Sequence, residues 1–154
     1  MEEPIPPPPP SGIFRGSLHL FPVRVYYEDT DLSGIVYHAN YLRWFERARS
    51  DMLRLLGIDQ RAAAEAGEGT YAVTEINVRY VAPARLDDVV TITSEARDIG
   101  SASVRLRQRA LKGDDLLAEA AVRAAFISPD GRPRRQLPAW RSAFASVLGS
   151  KDAA

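Results

Sequence analysis

Alternation of apolar and polar residues along the chain predicts five β-strands. In residues 21–27, Val23 and Val25 share one face while Arg24 and Tyr26 share the other, the period-two pattern of a half-buried strand. The other four candidates are residues 71–81, 89–96, 102–109 and 116–127. The last of these has one continuous apolar face, and Ala121, Ala125 and Ile127 make its other face partly apolar, so we expect it to be central in the sheet. Glycine-bearing connections of hairpin length join the last three strands and predict antiparallel pairing.

One long amphipathic helix is predicted over residues 40–56, between the first and second strands, with Gly57 as its stop signal. Apolar residues recur in it at three- and four-residue spacing: Leu42, Phe45, Ala48 and Met52. A short second helix is predicted over residues 140–148. The order strand, long helix and four strands lacks the alternation that a parallel sheet requires. We therefore predict an α+β fold, with an antiparallel sheet wrapped around one helix.

The patterned stretch runs from residue 18 to residue 148 without a linker or an internal repeat, which predicts one domain. Residues 1–17 contain a proline-rich run and are predicted to form an extended or disordered tail. Such a tail is compatible with docking on a partner module, but a flexible leader is the favoured interpretation. Residues 149–154 are predicted to form a flexible C-terminus.

Composition excludes several functional classes. Twenty basic residues balance twenty acidic ones, so bulk charge gives no reason to expect nucleic acid, although a local basic patch would suit a phosphorylated ligand. The absence of cysteine excludes disulfides, thiolate metal sites and a cysteine nucleophile, and two histidines argue against a histidine-built zinc site. No apolar run reaches the roughly 20 residues that span a bilayer. The N-terminus also lacks the pattern of a signal peptide, so we expect a cytoplasmic protein.

The residues most suited to chemistry lie in the segment 25–41. Three carboxylates fall within four residues there: Glu28, Asp29 and Asp31. His38 and Asn40 lie at the start of the predicted helix, where unpaired N–H groups and the helix dipole polarise a carbonyl or attract an anion. A carboxylate beside them would activate water or attack the carbonyl, and Gly34 would let the backbone bend close to a substrate. The same residues also suit a turn with Asn40 as helix N-cap, and spacing alone leaves both interpretations open.

Residues 27–49, which read YEDTDLSGIVYHANYLRWFERAR, resemble the signature of the 4-hydroxybenzoyl-CoA thioesterase family. The resemblance is closest to the branch of bacterial acyl-CoA thioesterases associated with the Tol–Pal system. Residues 80–88, YVAPARLDD, also resemble that family, and the likeness extends over about residues 20–145. It implies a hotdog fold, in which a five-stranded antiparallel sheet wraps the long helix. It also implies a homodimer that shares active sites across its interface, usually paired into a homotetramer.

The resemblance further implies hydrolysis of an acyl-CoA thioester without a metal or cofactor, with acyl carrier protein left open as the carrier. The family's catalytic aspartate falls on Asp31, as nucleophile or general base. Its thioester-polarising N–H falls on His38, whose side chain is also implicated in the Tol–Pal-like branch. Glu46 is expected to be structural, because the branch with a catalytic helix glutamate has a different motif. The predicted substrate-binding residues are Tyr27, Gly34, Val36, Tyr37, Asn40, Arg132 and Arg134.

Arginines suit the phosphates of CoA because they make bidentate contacts. The stripe Arg105, Arg107 and Arg109 is interpreted as a solvated strand face, whereas the loop 132–135 follows the last strand, where family members often place phosphate-binding residues. The alternatives to a thioesterase are a non-catalytic acyl-CoA-binding hotdog protein or scaffold linked to envelope maintenance, and a hotdog dehydratase or hydratase. The presence of Asp31 favours the thioesterase, and the pattern of the dehydratases is not found in the sequence.

Overall fold

The computed structural model describes residues 1–149 of the 154-residue chain. It contains six strands: β1 (Ile13–Arg15), β2 (Leu18–Arg24), β3 (Thr70–Tyr80), β4 (Val89–Ile99), β5 (Ser103–Lys112) and β6 (Asp115–Ile127). Its helices are α1 (Asn40–Leu55), α2 (Gln60–Glu65) and α3 (Pro138–Ser146), and a short 3-10 helix spans Tyr27–Asp29. Within residues 1–149, none of the helices has both the length and the apolarity needed to cross a membrane.

All six strands form one antiparallel sheet in the order β1-β2-β4-β5-β6-β3. Strand β3 pairs with β6, so it forms one edge of the sheet. Helix α1 packs against β2 and β4 and buries its apolar stripe, including Phe45, Ala48 and Met52. The predicted α+β architecture, an antiparallel sheet around one long helix, is confirmed with six strands instead of five.

Most predicted elements lie within a few residues of the observed ones. The strand predicted over 21–27 is displaced to Leu18–Arg24, because the chain leaves the sheet for the 3-10 helix at Tyr27–Asp29. Strand β6 is not central in strand order, since it lies between β5 and the edge strand β3. Apolar residues on the two faces of a strand indicate that those faces are buried. They do not indicate the position of the strand in the strand order. Helix α2 was not predicted, because six residues span too few turns to show a periodic pattern.

The predicted N-terminal tail ends earlier than residue 17. Strand β1 pairs with β2 from Ile13–Leu20 to Arg15–Leu18, through a turn at Gly16, whose φ of 60° is left-handed. Three residues are too few to show alternation, which is why the sequence did not reveal this strand. Residues 1–11 are exposed. At the other end, the Gly149 N–H donates a 2.8 Å hydrogen bond to the Ala96 carbonyl, and residues 150–154 of the predicted flexible C-terminus lie outside the described residues.

A buried polar pair ties the β1–β2 hairpin to α1. His19 Nε2 lies 2.7 Å from Asp51 Oδ2, and both side chains are almost fully buried. The same carboxylate oxygen accepts the Gly12 N–H at 2.9 Å. A Cβ at Gly12 would lie 2.3 Å from the Leu20 carbonyl oxygen, so this close approach requires glycine. Asp51 therefore fixes the point at which the N-terminal segment joins the domain.

We expect Asp51→Ala to lower the free energy of unfolding by roughly 3 kcal/mol, because it leaves His19 and the Gly12 N–H buried without an acceptor. Urea unfolding followed by circular dichroism measures this loss. Asp114→Ala, at an exposed hairpin turn, is the control and should change the free energy by less than about 0.5 kcal/mol. Equal unfolding midpoints for the two variants would show that the buried pair does not stabilise the fold.

Candidate active site

Two successive turns between β2 and α1 carry most of the predicted site residues. In the first, the Tyr26 N–H donates to Asp29 Oδ2 at 2.8 Å, which closes the 3-10 helix. In the second, the Gly34 N–H donates to the Asp31 carbonyl at 3.0 Å, and the Asp31 N–H donates to the Ile35 carbonyl at 2.9 Å. Gly34 has a φ of 78°, which favours glycine there. The second turn places Asp31 at the surface, ahead of the helix.

The Asp31 carboxylate is exposed and held in one orientation by Ser33. Its Oδ1 accepts the Ser33 N–H at 2.8 Å and the Ser33 hydroxyl at 2.5 Å. These two hydrogen bonds hold the pKa of Asp31 below its ordinary value of 3.8, and the charge of His38 acts in the same direction. Asp31 is therefore ionised at neutral pH. Among residues 1–149, its Oδ2 has no hydrogen-bond partner, so one oxygen is free to react.

The start of α1 offers unpaired backbone donors. The Asn40 N–H donates to the Tyr37 carbonyl at 2.9 Å and the Tyr37 N–H to the Asp29 carbonyl at 2.9 Å. The N–H groups of His38 and Ala39 have no acceptor within the described residues. Two free donors at a helix N-terminus form a site for negative charge.

Asn40 is the first residue of α1 and not its N-cap. The cap position is Ala39, whose side chain makes no capping hydrogen bond. Asn40 is instead nearly buried, and its Nδ2 donates to Asp29 Oδ1 at 2.8 Å. The possible capping role is therefore wrong. Asp29 and Asn40 together fix the first turn relative to the helix.

Aromatic side chains surround His38. Its ring centroid lies 4.6 Å from that of Tyr37 and 6.2 Å from that of Tyr80, at the end of β3. The Tyr80 hydroxyl donates to the His38 carbonyl at 2.7 Å, which fixes the backbone at the helix start. Tyr37 and Tyr80 are both substantially exposed, so they offer apolar surface around His38, and Tyr27 in the 3-10 helix is exposed as well.

Val36 is buried and attaches the site loop to another turn of the chain. Its side chain is 4% exposed, and its N–H donates to the Ala84 carbonyl at 2.9 Å. Ile35 also forms a β-bridge with Arg85. The site loop is thus attached to the turn at residues 84–88, the second motif that resembles the family.

The turn at residues 84–88 supplies a basic group, Arg85, which the sequence analysis did not single out as a binding residue. Asp88 accepts the Arg85 N–H at 2.8 Å and lies 3.0 Å from Lys112 Nζ, and these two contacts hold the pKa of its carboxyl below the ordinary value. Asp87 adopts a left-handed φ of 68° in the same turn. The exposed Arg85 guanidinium makes no hydrogen bond or ion pair within 4.0 Å among the described residues, although its charge acts on Asp88, so it is available to an anionic ligand near the site loop. A motif shows that Arg85 is present but not which elements the turn contacts.

Arg132 and Arg134 do not approach Asp31 within one protomer. Strand β6 pairs Ala118 with Tyr80, at the site end, and Ile127 with Thr70, at the far end, where Ile127 also bridges to Pro133. These two positions are nine residue steps apart, which is about 30 Å of strand. Arg134 Nη1 donates to the Glu68 carbonyl at 2.7 Å, which holds the loop at that far end.

The arginine stripe of β5 lies on the sheet face opposite α1. This is the position expected of a strand face that contacts solvent. Arg107 pairs with Glu95 at 3.2 Å and Arg109 with Glu119 at 3.2 Å, while Arg105 is exposed. Glu46 is also exposed, and its carboxylate accepts the Ser50 hydroxyl at 2.7 Å. Neither the stripe nor Glu46 contacts the Asp31 loop.

Comparison with known proteins agrees with this architecture. The thioesterase-like superfamily matches residues 25–148. A Shigella flexneri protein named acyl-CoA thioester hydrolase YbgC is 42% identical over 123 residues, which are 79% of this chain and 91% of that protein. The acyl-CoA thioesterase YbgC of Haemophilus influenzae is 39% identical over 107 residues, covering 70% of this chain and 79% of that protein.

A solved structure supports the same conclusion. The crystal structure of a probable thioesterase from Bartonella henselae has a TM-score of 0.74 and 36% identity, and the match covers 78% of this chain and 99% of that one. The fold is therefore the hotdog fold of thioesterases, as predicted. This chain belongs to the thioesterase-like superfamily.

Proposed function

We propose that this protein hydrolyses acyl-CoA thioesters to a free acid and CoA, the activity that the names of its relatives state for them. The observation that carries the proposal is the ionised, exposed Asp31 beside the unpaired N–H groups of His38 and Ala39. Release of free thiol from a panel of acyl-CoAs by the purified protein tests it. Binding without thiol release would instead support the non-catalytic acyl-CoA-binding protein.

The helix start is proposed to polarise the substrate. A thioester carbonyl oxygen placed against the N–H of His38 would accept a hydrogen bond and feel the positive end of the α1 dipole. Negative charge that develops on this oxygen during attack is stabilised by the same groups. The hydrogen bond from Tyr80 to the His38 carbonyl holds these donors in place before the substrate arrives.

Asp31 is proposed to act as nucleophile. A carboxylate with a lowered pKa is a weak base, but it stays charged and able to attack. Its Oδ2 bonds to the carbonyl carbon, the carbon–sulfur bond breaks, and CoA leaves as a thiolate that takes a proton from water. A second water then hydrolyses the mixed anhydride, which releases the acid and restores the carboxylate. Rapid-quench mass spectrometry should find an acyl adduct on Asp31, and its absence during turnover would favour the general-base role.

We expect Ser33→Ala to shift the acid limb of the kcat/KM profile to higher pH. The Ser33 hydroxyl lowers the pKa of Asp31, so the active carboxylate survives to lower pH and is lost as the pH falls through that lowered pKa. Without the hydroxyl, the pKa rises towards 3.8 and the loss of activity begins at a higher pH. Rates measured across the acid range, with Ser142→Ala as control, check this. An unchanged limb would mean that Asp31 ionisation does not limit the reaction.

A homodimer is proposed to complete the site. Strand β3 has eleven residues at the sheet edge, and its Val73 and Tyr80 side chains are each 46% exposed. Unpaired edge strands join readily, and two copies related by a two-fold axis would pair β3 antiparallel. The Thr70 end of one copy would then lie beside the Tyr80 end of the other. This pairing brings the loop 132–135 of the second copy to the Asp31 site of the first.

Arg132 and Arg134 would then bind CoA phosphates across the dimer interface, together with Arg85 from the same chain as Asp31. We expect Arg132→Ala and Arg134→Ala each to raise KM for acyl-CoA roughly tenfold with little change in kcat, because each removes a charge-assisted contact that is present before and during reaction. Steady-state kinetics measure this split, and Arg141→Ala on α3 is the control.

A mixing experiment separates the dimer from a purely local role. Dimers made from an Asp31→Asn copy and an Arg132→Ala/Arg134→Ala copy contain one intact site if the arginines act across the interface. Such mixtures should regain the wild-type KM, whereas arginines acting within one chain would give no recovery. The predicted tetramer, the cytoplasmic location, the Tol–Pal association and acyl carrier protein as substrate carrier stay predictions of the sequence.

A further inference from the structure

A cavity beneath the middle of α1 lies apart from the Asp31 loop. Its volume is about 150 Å³, and it lies between α1, the sheet and α3, partly open to solvent. Arg49, on its helix side, is nine residues after Asn40, which is about 14 Å along the helix axis. Leu106 and Phe144 contribute apolar walls, and Ala124 lies on its sheet side. The cavity is thus a second pocket, separate from the loop proposed to hold the thioester.

Arg49 is a half-buried cation that makes no ion pair among the described residues. Its Nη1 donates to Gln108 Oε1 at 2.9 Å, and no carboxylate of residues 1–149 lies within 4.0 Å of its guanidinium. Burial lowers the pKa of Arg49 from its ordinary value, although the nearby Glu46 charge opposes this. A guanidinium carries five N–H donors, and within residues 1–149 the Arg49 guanidinium makes one hydrogen bond, to the neutral amide of Gln108. Most of its donors are therefore free for a ligand.

The orientation of Gln108 is fixed by its surroundings. This side chain is fully buried, and its Nε2 donates to the Phe45 carbonyl at 3.0 Å and to Ser94 Oγ at 2.9 Å. Its oxygen must consequently face Arg49. The guanidinium is held at the cavity by this contact, before any ligand binds.

We propose that this cavity binds a small carboxylate with an apolar body, with the carboxylate on Arg49 and the body against Leu106 and Phe144. A cavity of this volume holds a body of about six carbons, since an engineered apolar cavity of the same size takes benzene. The ligand class is that of the acid released by hydrolysis, and only this link to a product rests on the proposed function. Glu46, bound to Ser50 at the cavity, opposes the ligand's charge and should weaken binding.

Isothermal titration of the full chain with hexanoate, and separately with neutral 1-hexanol, tests the pocket. Wild type should bind hexanoate at least about tenfold more tightly than hexanol, because only the acid makes a charge-assisted bond. Arg49→Met should remove this difference, whereas Glu46→Gln should tighten hexanoate binding. Ala124→Leu, which fills the cavity and leaves Arg49 in place, should weaken both ligands. Arg47→Met, an exposed arginine on the same helix, should behave as wild type.

Failure of the proposed pocket is distinguishable from failure of the proposed thioesterase activity, because the titration contains no thioester. Absence of hexanoate binding to folded wild type, equal binding of acid and alcohol, or full binding by Ala124→Leu would each overturn the pocket. If Arg49→Met does not fold, the Glu46→Gln and Ala124→Leu results still decide the matter. Thiol release by the wild type without hexanoate binding would leave the thioesterase standing and remove this site.

Discussion

Asp31→Asn should abolish most thioester hydrolysis, with kcat/KM at least about 100-fold below wild type. The amide has nearly the same shape as the carboxylate, and its oxygen still accepts the two hydrogen bonds from Ser33. It is uncharged, however, so it neither attacks a carbonyl nor takes a proton from water. Thiol release under saturating and limiting acyl-CoA separates kcat from KM, and we expect kcat to carry the loss because Asp31 acts on the reacting carbon.

Glu28→Gln is the matched control for this substitution. Glu28 lies three residues earlier in the same loop, is exposed and makes no side-chain hydrogen bond among the described residues. Loss of its charge should change kcat/KM by less than about twofold, since an exposed carboxylate contributes little to a distant carbonyl. Wild-type turnover by Asp31→Asn would show that Asp31 is only a turn residue. An equal loss in both variants would show that the general charge of the loop matters instead.

His38→Pro should reduce kcat by roughly 100-fold or more, because proline removes the backbone N–H proposed to bind the thioester oxygen. That N–H has no acceptor within the described residues, so its removal breaks no hydrogen bond of the fold. His38→Ala keeps the N–H and removes only the ring. We expect His38→Ala to retain considerably more activity, and the difference between the two variants measures the backbone contribution.

Thermal unfolding of both His38 variants controls for damage to the helix start. The Tyr80 hydroxyl binds the His38 carbonyl, which both substitutions preserve. Equal losses in His38→Ala and His38→Pro, with unchanged stability, would transfer the polarising role from the backbone to the imidazole. The side-chain role implied by the Tol–Pal-like branch would then be the dominant one.

The turn that carries Asp31 and the turn that joins α1 are held together as one segment. Ser33 and Gly34 hold Asp31 at the surface, while Asp29 and Asn40 fasten the preceding turn to α1. The attacking oxygen and the donors at the helix start therefore belong to one short segment, residues 29–40. A contiguous motif is enough to identify this segment, although contacts of Val36 with Ala84 and of His38 with Tyr80 attach it to distant parts of the chain.

Local pattern was sufficient for α1 and for β3 to β6, because their hydrophobic periodicity is set by which faces are buried. It located the candidate catalytic segment, since a turn, a left-handed glycine and a helix start are adjacent in sequence, but only the family resemblance favoured a catalytic role over a turn. Local pattern did not predict strand β1 or helix α2, because elements of three and six residues are too short to show a hydrophobic period. Local pattern also did not determine the role of Asn40, because a helix N-cap and a hydrogen-bond partner of Asp29 would both occupy this position at the helix start.

Sequence by itself determined the fold class, the family and the positions of Asp31 and His38, all of which depend on residues close together in the chain. Only the tertiary structure decided that β3 lies at the sheet edge beside β6, which separates Arg132 and Arg134 from Asp31 by the length of a strand. Only it joined Arg49, which lines the cavity, to Gln108, 59 residues away in the sequence, by a hydrogen bond. The physical reason is that strand order and cavities arise from packing between distant segments, and local periodicity carries no information about which segments meet.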